Sequence, residues 1–490
     1  MTQEAEVGLG RRAARGALVT VGAQGARILL QLASVVVLAR LLSPHDYGLV
    51  AMVVALVGIG EILRDFGLSS AAVQAATLSN AQRTTLFWIN AGIGALLGLA
   101  VFLSAPLIAA LYGEPELVPI ARALAAGFLL NGLATQYRAS LVRDLRFVSL
   151  ARTDVIAAAV ALATAIAGAL AGLGYWALVA QQLAQALALL VLLAIAARWL
   201  PGIPRRSTSV RGFLGFGGNV VLSQLIGYVS NNLDSLVIGV RFGAGPLGIY
   251  SRAFQLLMTP LNQVRSPLTS VALPVLSRLS ADAPRFDRFV VLGQRALGYT
   301  LVAGLGVVIG AAEPLTHLLL GPQWTAASPI LRLLAIAGVF QTLAFVGYWV
   351  YLARGLTADL VRYSLVSAVI RITCILVGSL GGVVGVAWGY AIAPAIAWPV
   401  SLWWLSRRTS IPTRALYSGA GRILLTVSLS AAAAWGAGLV AAPLGPVVQI
   451  VAGTGAAVAS YGLFCLVPAL RRDILDVVAL AKLLPSRARS

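Results

Sequence analysis

Five polar side chains recur down one stretch of otherwise apolar sequence: Thr20, Gln24, Arg27, Gln31 and Ser34, spaced four, three, four and three. That spacing puts them on one face of an α-helix. A second stretch repeats the device with Gln224, Tyr228, Asn231 and Ser235, with Asp234 beside it. A third carries Arg252, Gln255, Thr259, Asn262, Ser266 and Thr269. Stripes of this kind cannot face hydrocarbon; they need water, a partner helix or a ligand. Helix–helix hydrogen bonds would satisfy Ser, Thr and Asn. Three stripes in related segments favour a hydrated cavity.

Arginines give that cavity a sign. Arg27 and Arg371 lie inside apolar runs, where each costs about 2.5–3.5 kcal/mol at a helix centre. Arg64 has Glu61 three residues before it and Asp65 beside it, the spacing of a structural ion pair. Arg27, Arg252, Arg265 and Arg371 read as unpaired and imply a positive interior. The planar guanidinium fork suits phosphate, whereas a carrier of organic or metal cations would need the opposite charge. The expected substrate-binding set is Arg27, Gln24, Gln31, Asn231, Arg252, Arg265 and Arg371. Asp234, Glu61 and Asp65 are the candidates for ion coupling, and a counter-ion role for Asp234 stays open.

No chemistry of bond-breaking is expected. The sequence has no phosphate-binding P-loop, so no ATP site, and no HExxH or Cys/His cluster for a metal. His45 and His317 are isolated, and Cys374 and Cys465 fall in apolar runs. No cofactor is expected; the coupling ion is not specified. The glycine runs "GIGALLG" from Gly92 and "GLGVVIG" from Gly304 sit within apolar stretches and suit close helix packing.

The elements that must position these side chains are membrane helices. Of 490 residues, 59% are hydrophobic and 11% charged, against about 45–50% and 25% in soluble domains. Apolar stretches fall at about 17–39, 47–73, 86–111, 119–141, 154–172, 176–197, 213–239, 247–275, 294–319, 329–351, 364–381, 385–405, 421–441 and 447–468. The expected fold is all-α and polytopic, with about fourteen transmembrane helices. Alternate connections are basic, as in Arg143, Arg146 and Arg152, or Arg407, Arg408 and Arg414. The positive-inside rule then places both termini in the cytoplasm. It also accounts for the net charge of +20 without nucleic acid as a partner. The run from Asp473 reads as an amphipathic helix on the inner surface or as a solvated tail.

The sequence also repeats. "PIARALA" at Pro119 returns as "PILRLLA" at Pro329, and "SAPLIAALYG" at Ser104 as "AEPLTHLLLG" at Ala312. Arg40 and Arg241, like Arg64 and Arg265, are 201 residues apart. Matches in one order imply two homologous six-helix halves related by a pseudo-two-fold axis along the membrane normal, with the substrate site between them. The expected division is 1–200 and 201–410 for the bundles, 411–470 for two additional helices and 471–490 for a tail. The repeated heptad, with Arg122 and Arg332, reads as architectural.

"LARLLSPHDYGLVAMV" from Leu38, "RDFGLSSAAVQ" from Arg64, "NLDSLVIGVRFGAGPLGIYSRAFQLLMTP" from Asn232 and "VALPVLSRL" from Val271 resemble the Wzx-type polysaccharide flippases of the MOP exporter superfamily. The resemblance covers roughly the first 400 residues. It implies a V-shaped pair of six-helix bundles around a cationic cleft lined by the helices of Arg27, Asn231, Arg252 and Arg265. It also implies export of polyprenyl-diphosphate-linked oligosaccharide across the bacterial cytoplasmic membrane. Membrane lipids, glycosyltransferases and a glycan polymerase are the expected partners. A MATE-like antiporter of small organic compounds and a lipid II-type flippase are the alternatives; an integral-membrane polymerase would need a long outer loop that the spans leave no room for.

Overall fold

The computed structural model describes residues 3–65, 79–203 and 217–486, without side chains at 3–21, 65, 217–223, 226, 266, 267, 270 and 478–486. No strand occurs among the described residues. The chain divides into two compact units, Met1–Gly248 and Ile249–Ser490.

The first unit holds α1 (Gln3–Leu41), α2 (Pro44–Asp65), α3 (Asn80–Tyr112), α4 (Leu117–Arg143), α5 (Phe147–Leu170), α6 (Tyr175–Ala197) and α7 (Gly217–Phe242). α8 (Ala244–Arg278) leads into the second, which continues with α9 (Ala283–Leu297), a π turn (Gly298–Val302), α10 (Ala303–Gly310) and α11 (Ala312–Leu319). There follow α12 (Ala327–Ala353), α13 (Thr357–Gly378), α14 (Gly382–Arg408), α15 (Thr413–Val440), α16 (Pro446–Phe464) and α17 (Pro468–Ser486). Each expected span coincides with helix where it is described, give or take a few terminal residues; the spans expected to 73 and from 213 run beyond the described residues. The ninth differs in kind. It is one span by hydropathy, but the π turn and a break at Ala311 divide it. Eleven segments among the described residues are long and apolar enough to cross a membrane, one of them (Thr357–Arg408) holding two helices. α7 and α8, which carry polar stripes, are not among the eleven.

The repeat is visible as shared local structure. α3 opens on a capping box, with Ser79 and Gln82 each bonding the other's backbone N–H, which satisfies two donors left over at a helix start. It closes on Gly113 at φ 73°. Its counterpart Gly321, at φ 103°, ends the second copy of the same decapeptide. The heptad arginines both tie their helix to the one before it in the repeat. Arg122 stacks over Phe102 of α3 at 5.2 Å, and Arg332 Nε donates to Ile309 O of α10 at 3.1 Å. Both are architectural.

The glycine runs permit close packing, but on different neighbours. In unit 1 a Cβ at Gly98 would meet Ala125 O of α4 at 2.8 Å. In unit 2 a Cβ at Gly310 would meet Ala431 O of α15 at 2.5 Å. The additional helix α15 therefore packs on the ninth span, and α16 packs on α15.

After α4 and α12 the chain turns through a left-handed residue, Leu145 at φ 53° and Gly355 at φ 68°. In both turns the next N–H reaches back to close the helix end, Arg146 N to Leu141 O and Leu356 N to Tyr351 O, each at 2.8 Å. Glycine adopts this conformation freely, whereas a Cβ costs about 1–2 kcal/mol. Leu145→Gly is therefore expected to stabilise the protein by about 1 kcal/mol, read as a higher melting temperature of the detergent-purified chain. Gly355→Leu is expected to lower it.

The C-terminal helix is docked rather than loose. Asp473 on α17 is 2% exposed. It accepts from Arg422 Nε at 2.7 Å and pairs with Arg295 Nε at 3.1 Å, while Asp476 pairs with Arg295 Nη1 at 2.7 Å. Removing a buried carboxylate that serves two guanidiniums leaves both without their counter-ion. Asp473→Ala is expected to expose α17 to protease in native membranes while the remaining chain stays intact, checked by limited proteolysis with a C-terminal epitope tag.

Candidate functional site

In unit 1 the stripe on α1 meets α5 and α6. Arg27 Nη1 lies 3.4 Å from Asp154 Oδ2. Asp154 also receives a bidentate pair from Arg138 of α4, through Nη1 to Oδ2 and Nη2 to Oδ1. Arg27 thus has a carboxylate partner, which corrects its reading as unpaired. α5 begins at Phe147, so Asp154 sits two turns inside a helix whose polar opening, "FVSLARTD", hides it from hydropathy. The cluster still carries two guanidiniums against one carboxylate. Arg27 is 46% exposed and Arg138 42%, whereas Asp154 is 15%. The excess positive charge is therefore the accessible part. Gln24 and Gln31 flank Arg27 on the same face, both half-buried. Farther along, Ser34 accepts from Gln181 Nε2 of α6 at 2.9 Å, so the end of the stripe serves packing.

α7 divides its stripe similarly. Tyr228 donates to Val54 O at 3.3 Å and Ala55 O at 3.2 Å of α2, over Gly58, where any Cβ would strike the tyrosine hydroxyl. Asn231 is exposed and Asp234 is 2% exposed, with an oxygen accepting from Ser235 N at 2.8 Å. On α2, Arg64 Nε donates to Glu61 Oε2 at 2.8 Å, and Glu61 Oε1 accepts from Asn131 Nδ2 at 3.0 Å. The side chain of Asp65, the third coupling candidate, lies outside the described residues. Arg64 and Glu61 form the structural pair their spacing suggests.

In unit 2, Arg265 of α8 is 5% exposed. Its Nη2 donates to Gly338 O at 2.8 Å and Thr342 Oγ1 at 2.5 Å on α12, and Nη1 to Gln341 Oε1 at 3.2 Å. Among the described residues no carboxylate pairs with it; its partners are neutral. Neutral acceptors serve Nη1 and Nη2 but leave the charge in place, and the buried Nε has no hydrogen-bond partner. Arg371 of α13 lies 5.9 Å from the ring centroid of Tyr390, and Tyr390 meets Phe254 of α8 edge-on at 5.7 Å. Arg252, two residues before Phe254, is half-buried on α8. Thr269, at the end of that stripe, accepts from Trp349 Nε1 at 3.1 Å and belongs to packing. Arg138, Asp154 and the α12 acceptors were not expected from sequence: their partners are remote along the chain, and only a helical register shared with Arg27 or Arg265 would have pointed to them.

Eleven segments among the described residues, long and apolar enough to cross a membrane, on helices in this order, define a multi-pass membrane protein. Its fold resembles that of the lipid II flippase MurJ in an inward closed conformation, at TM-score 0.70 and 15% identity over 94% of this chain and 100% of that one. It also resembles an inward-facing MATE family transporter of the MOP superfamily, at TM-score 0.61 and 16% identity over 80% and 98%. Residues 37–329 match the polysaccharide biosynthesis protein family, and the chain belongs to it. It is similar to the lipopolysaccharide biosynthesis protein WzxC of Escherichia coli K12, 25% identical over 75% of both chains. It is likewise similar to the teichuronic acid biosynthesis protein TuaB of Bacillus subtilis 168, 28% identical over 71% of this chain and 72% of that one. The succinoglycan biosynthesis transport protein ExoT of Rhizobium meliloti 1021 is 27% identical over 72% of each.

Proposed function

We propose that this protein is a flippase that carries a polyprenyl-diphosphate-linked oligosaccharide, the precursor of a cell-surface polysaccharide, across the bacterial cytoplasmic membrane. The observation that carries the reading is the surplus of guanidinium charge within the helical units: Arg27 and Arg138 share one Asp154, and Arg265 has only neutral partners. An anionic diphosphate compensates such charge; an organic cation would add to it. The relatives' names, which speak of lipopolysaccharide, teichuronic acid and succinoglycan, support a glycan precursor.

In this mechanism the headgroup enters a cationic cleft from the cytoplasmic side, the lipid tail stays in the bilayer, and alternating access delivers the glycan to the outer leaflet. Gln24, Gln31, Asn231, Arg252 and Arg371 would contribute with Arg27 and Arg265. Asp234, Glu61 and Asp65 remain the coupling candidates. Basic connections would hold both termini in the cytoplasm, where glycosyltransferases load the carrier lipid; a polymerase would act on the exported product. No bond is made or broken by the chain, so no catalytic residue or cofactor is assigned.

The antiporter reading rests on the fold shared with MATE transporters, and the sign of the site argues against it. Inactivating the gene in its own bacterium separates the two. Loss of surface polysaccharide with accumulation of unexported lipid-linked oligosaccharide is the expected result. Unchanged polysaccharide with heightened sensitivity to cationic drugs would overturn the reading.

A further inference from the structure

Both units contain a similar arginine clasp, and it differs in the residue three before the arginine. In unit 1, Arg64 Nη1 of α2 reaches Asn131 O at 3.3 Å and Thr135 Oγ1 at 2.5 Å on α4. In unit 2, Arg265, 201 residues on, reaches Gly338 O at 2.8 Å and Thr342 Oγ1 at 2.5 Å on α12. The acceptors are alike: a backbone carbonyl and the threonine hydroxyl four residues later. They lie 207 residues apart, whereas the heptads that open α4 and α12 lie 210 apart. The second clasp is therefore displaced along its helix by three residues, about one turn.

The difference lies three residues before each arginine. Position 61 is glutamate and position 262, again 201 on, is asparagine. In unit 1 the carboxylate binds Arg64 Nε at 2.8 Å and cancels its charge. In unit 2 the corresponding nitrogen, Arg265 Nε, is buried and has no hydrogen-bond partner. Asn262 Oδ1 reaches Nη1 instead, at 3.5 Å. A buried N–H without an acceptor on a buried cation is costly, and glutamate at 262 would relieve both costs. The fold alone does not favour asparagine there.

We infer that this single position sets the charge available to the ligand: Asn262 keeps Arg265 uncancelled for an anionic headgroup, whereas Glu61 spends Arg64 on the fold. Asn262 is exposed and lies one helical turn from Arg265. An anion beside it would therefore lie about one helical turn from the guanidinium, within reach of its charge. Asn262 is in this sense a specificity-determining residue, held at a cost in stability. The inference rests on the proposed function, since it takes the ligand to be a diphosphate.

The test compares wild type, Asn262→Glu and Asn262→Gln as full chains in detergent, using farnesyl diphosphate as probe. Two quantities are read, its dissociation constant and the melting temperature without it. Asn262→Glu is expected to bind at least tenfold more weakly than wild type and to melt no lower than Asn262→Gln. Asn262→Gln is expected to bind within threefold of wild type, which separates charge from side-chain length. A smaller loss in Asn262→Glu, a comparable loss in Asn262→Gln, or a lower melting temperature for Asn262→Glu than for Asn262→Gln overturns the inference and leaves the proposed function standing. Failure of wild type to bind the probe overturns both.

Discussion

Replacing Arg265 by glutamine is expected to abolish glycan export, while replacing it by lysine preserves a measurable part of it at a similar cost in stability. Arg265 does two jobs. Its N–H groups tie α8 to α12 through Gly338, Gln341 and Thr342, and its charge has no carboxylate among the described residues to cancel it. Lysine keeps the charge but cannot reproduce the planar fork; glutamine keeps some hydrogen bonding and loses the charge. Both lose bonds from a buried charged group, costing about 2–4 kcal/mol in stability. Stability therefore ranks wild type above both variants, and transport ranks wild type, lysine, glutamine. Export at matched protein levels, with melting temperatures alongside, checks the two orders. Equal transport by lysine and glutamine variants would mean that only the clasp matters.

Arg27→Ala separates function from folding more cleanly. Arg27 is 46% exposed and touches Asp154 only at 3.4 Å, while Arg138 holds the same carboxylate at short range. A solvent-accessible pair of this kind contributes at most about 1 kcal/mol. Its removal leaves Asp154 fully served by Arg138 and turns a positive cluster into a neutral one. Export is expected to fall at least tenfold with the melting temperature nearly unchanged. Arg138→Ala is expected to cost more stability, because it removes the bidentate partner and leaves the carboxylate to the longer contact. Reversal of that order would show that Arg27, not Arg138, is the structural partner.

Periodicity and hydropathy were enough to reveal the helices, because each must satisfy its own backbone in lipid and write a long apolar run to do so. The same physics left α9 to α11 unreadable. A π turn at Gly298 and a break at Ala311 interrupt the α-helix without changing its apolarity. The arginines were legible because charge is rare in such runs, but their partners were not. Asp154 is remote from Arg27 in sequence, and in unit 2 the acceptors are a backbone carbonyl, at Gly338, and an ordinary threonine hydroxyl, at Thr342. The acids near Arg64 were local in sequence and left two partners open, Glu61 and Asp65, of which Glu61 forms the observed pair. The stripes on α1, α7 and α8 were mixed: Ser34, Tyr228 and Thr269 serve helix contacts, whereas Arg27 and Asn231 are exposed. Spacing alone cannot sort the two uses of one helix face.

The central claim is that positive charge inside this protein recognises an anionic lipid-linked headgroup. Purified full-length chain in liposomes, loaded with a fluorescently labelled polyprenyl-diphosphate oligosaccharide, tests it through the fraction of label that becomes accessible to a quencher on the opposite side. Protein-dependent movement of that lipid, lost in Arg265→Gln, with no movement of ethidium under the same gradients, is the predicted result. Movement of ethidium with the labelled lipid left in its original leaflet would contradict the account.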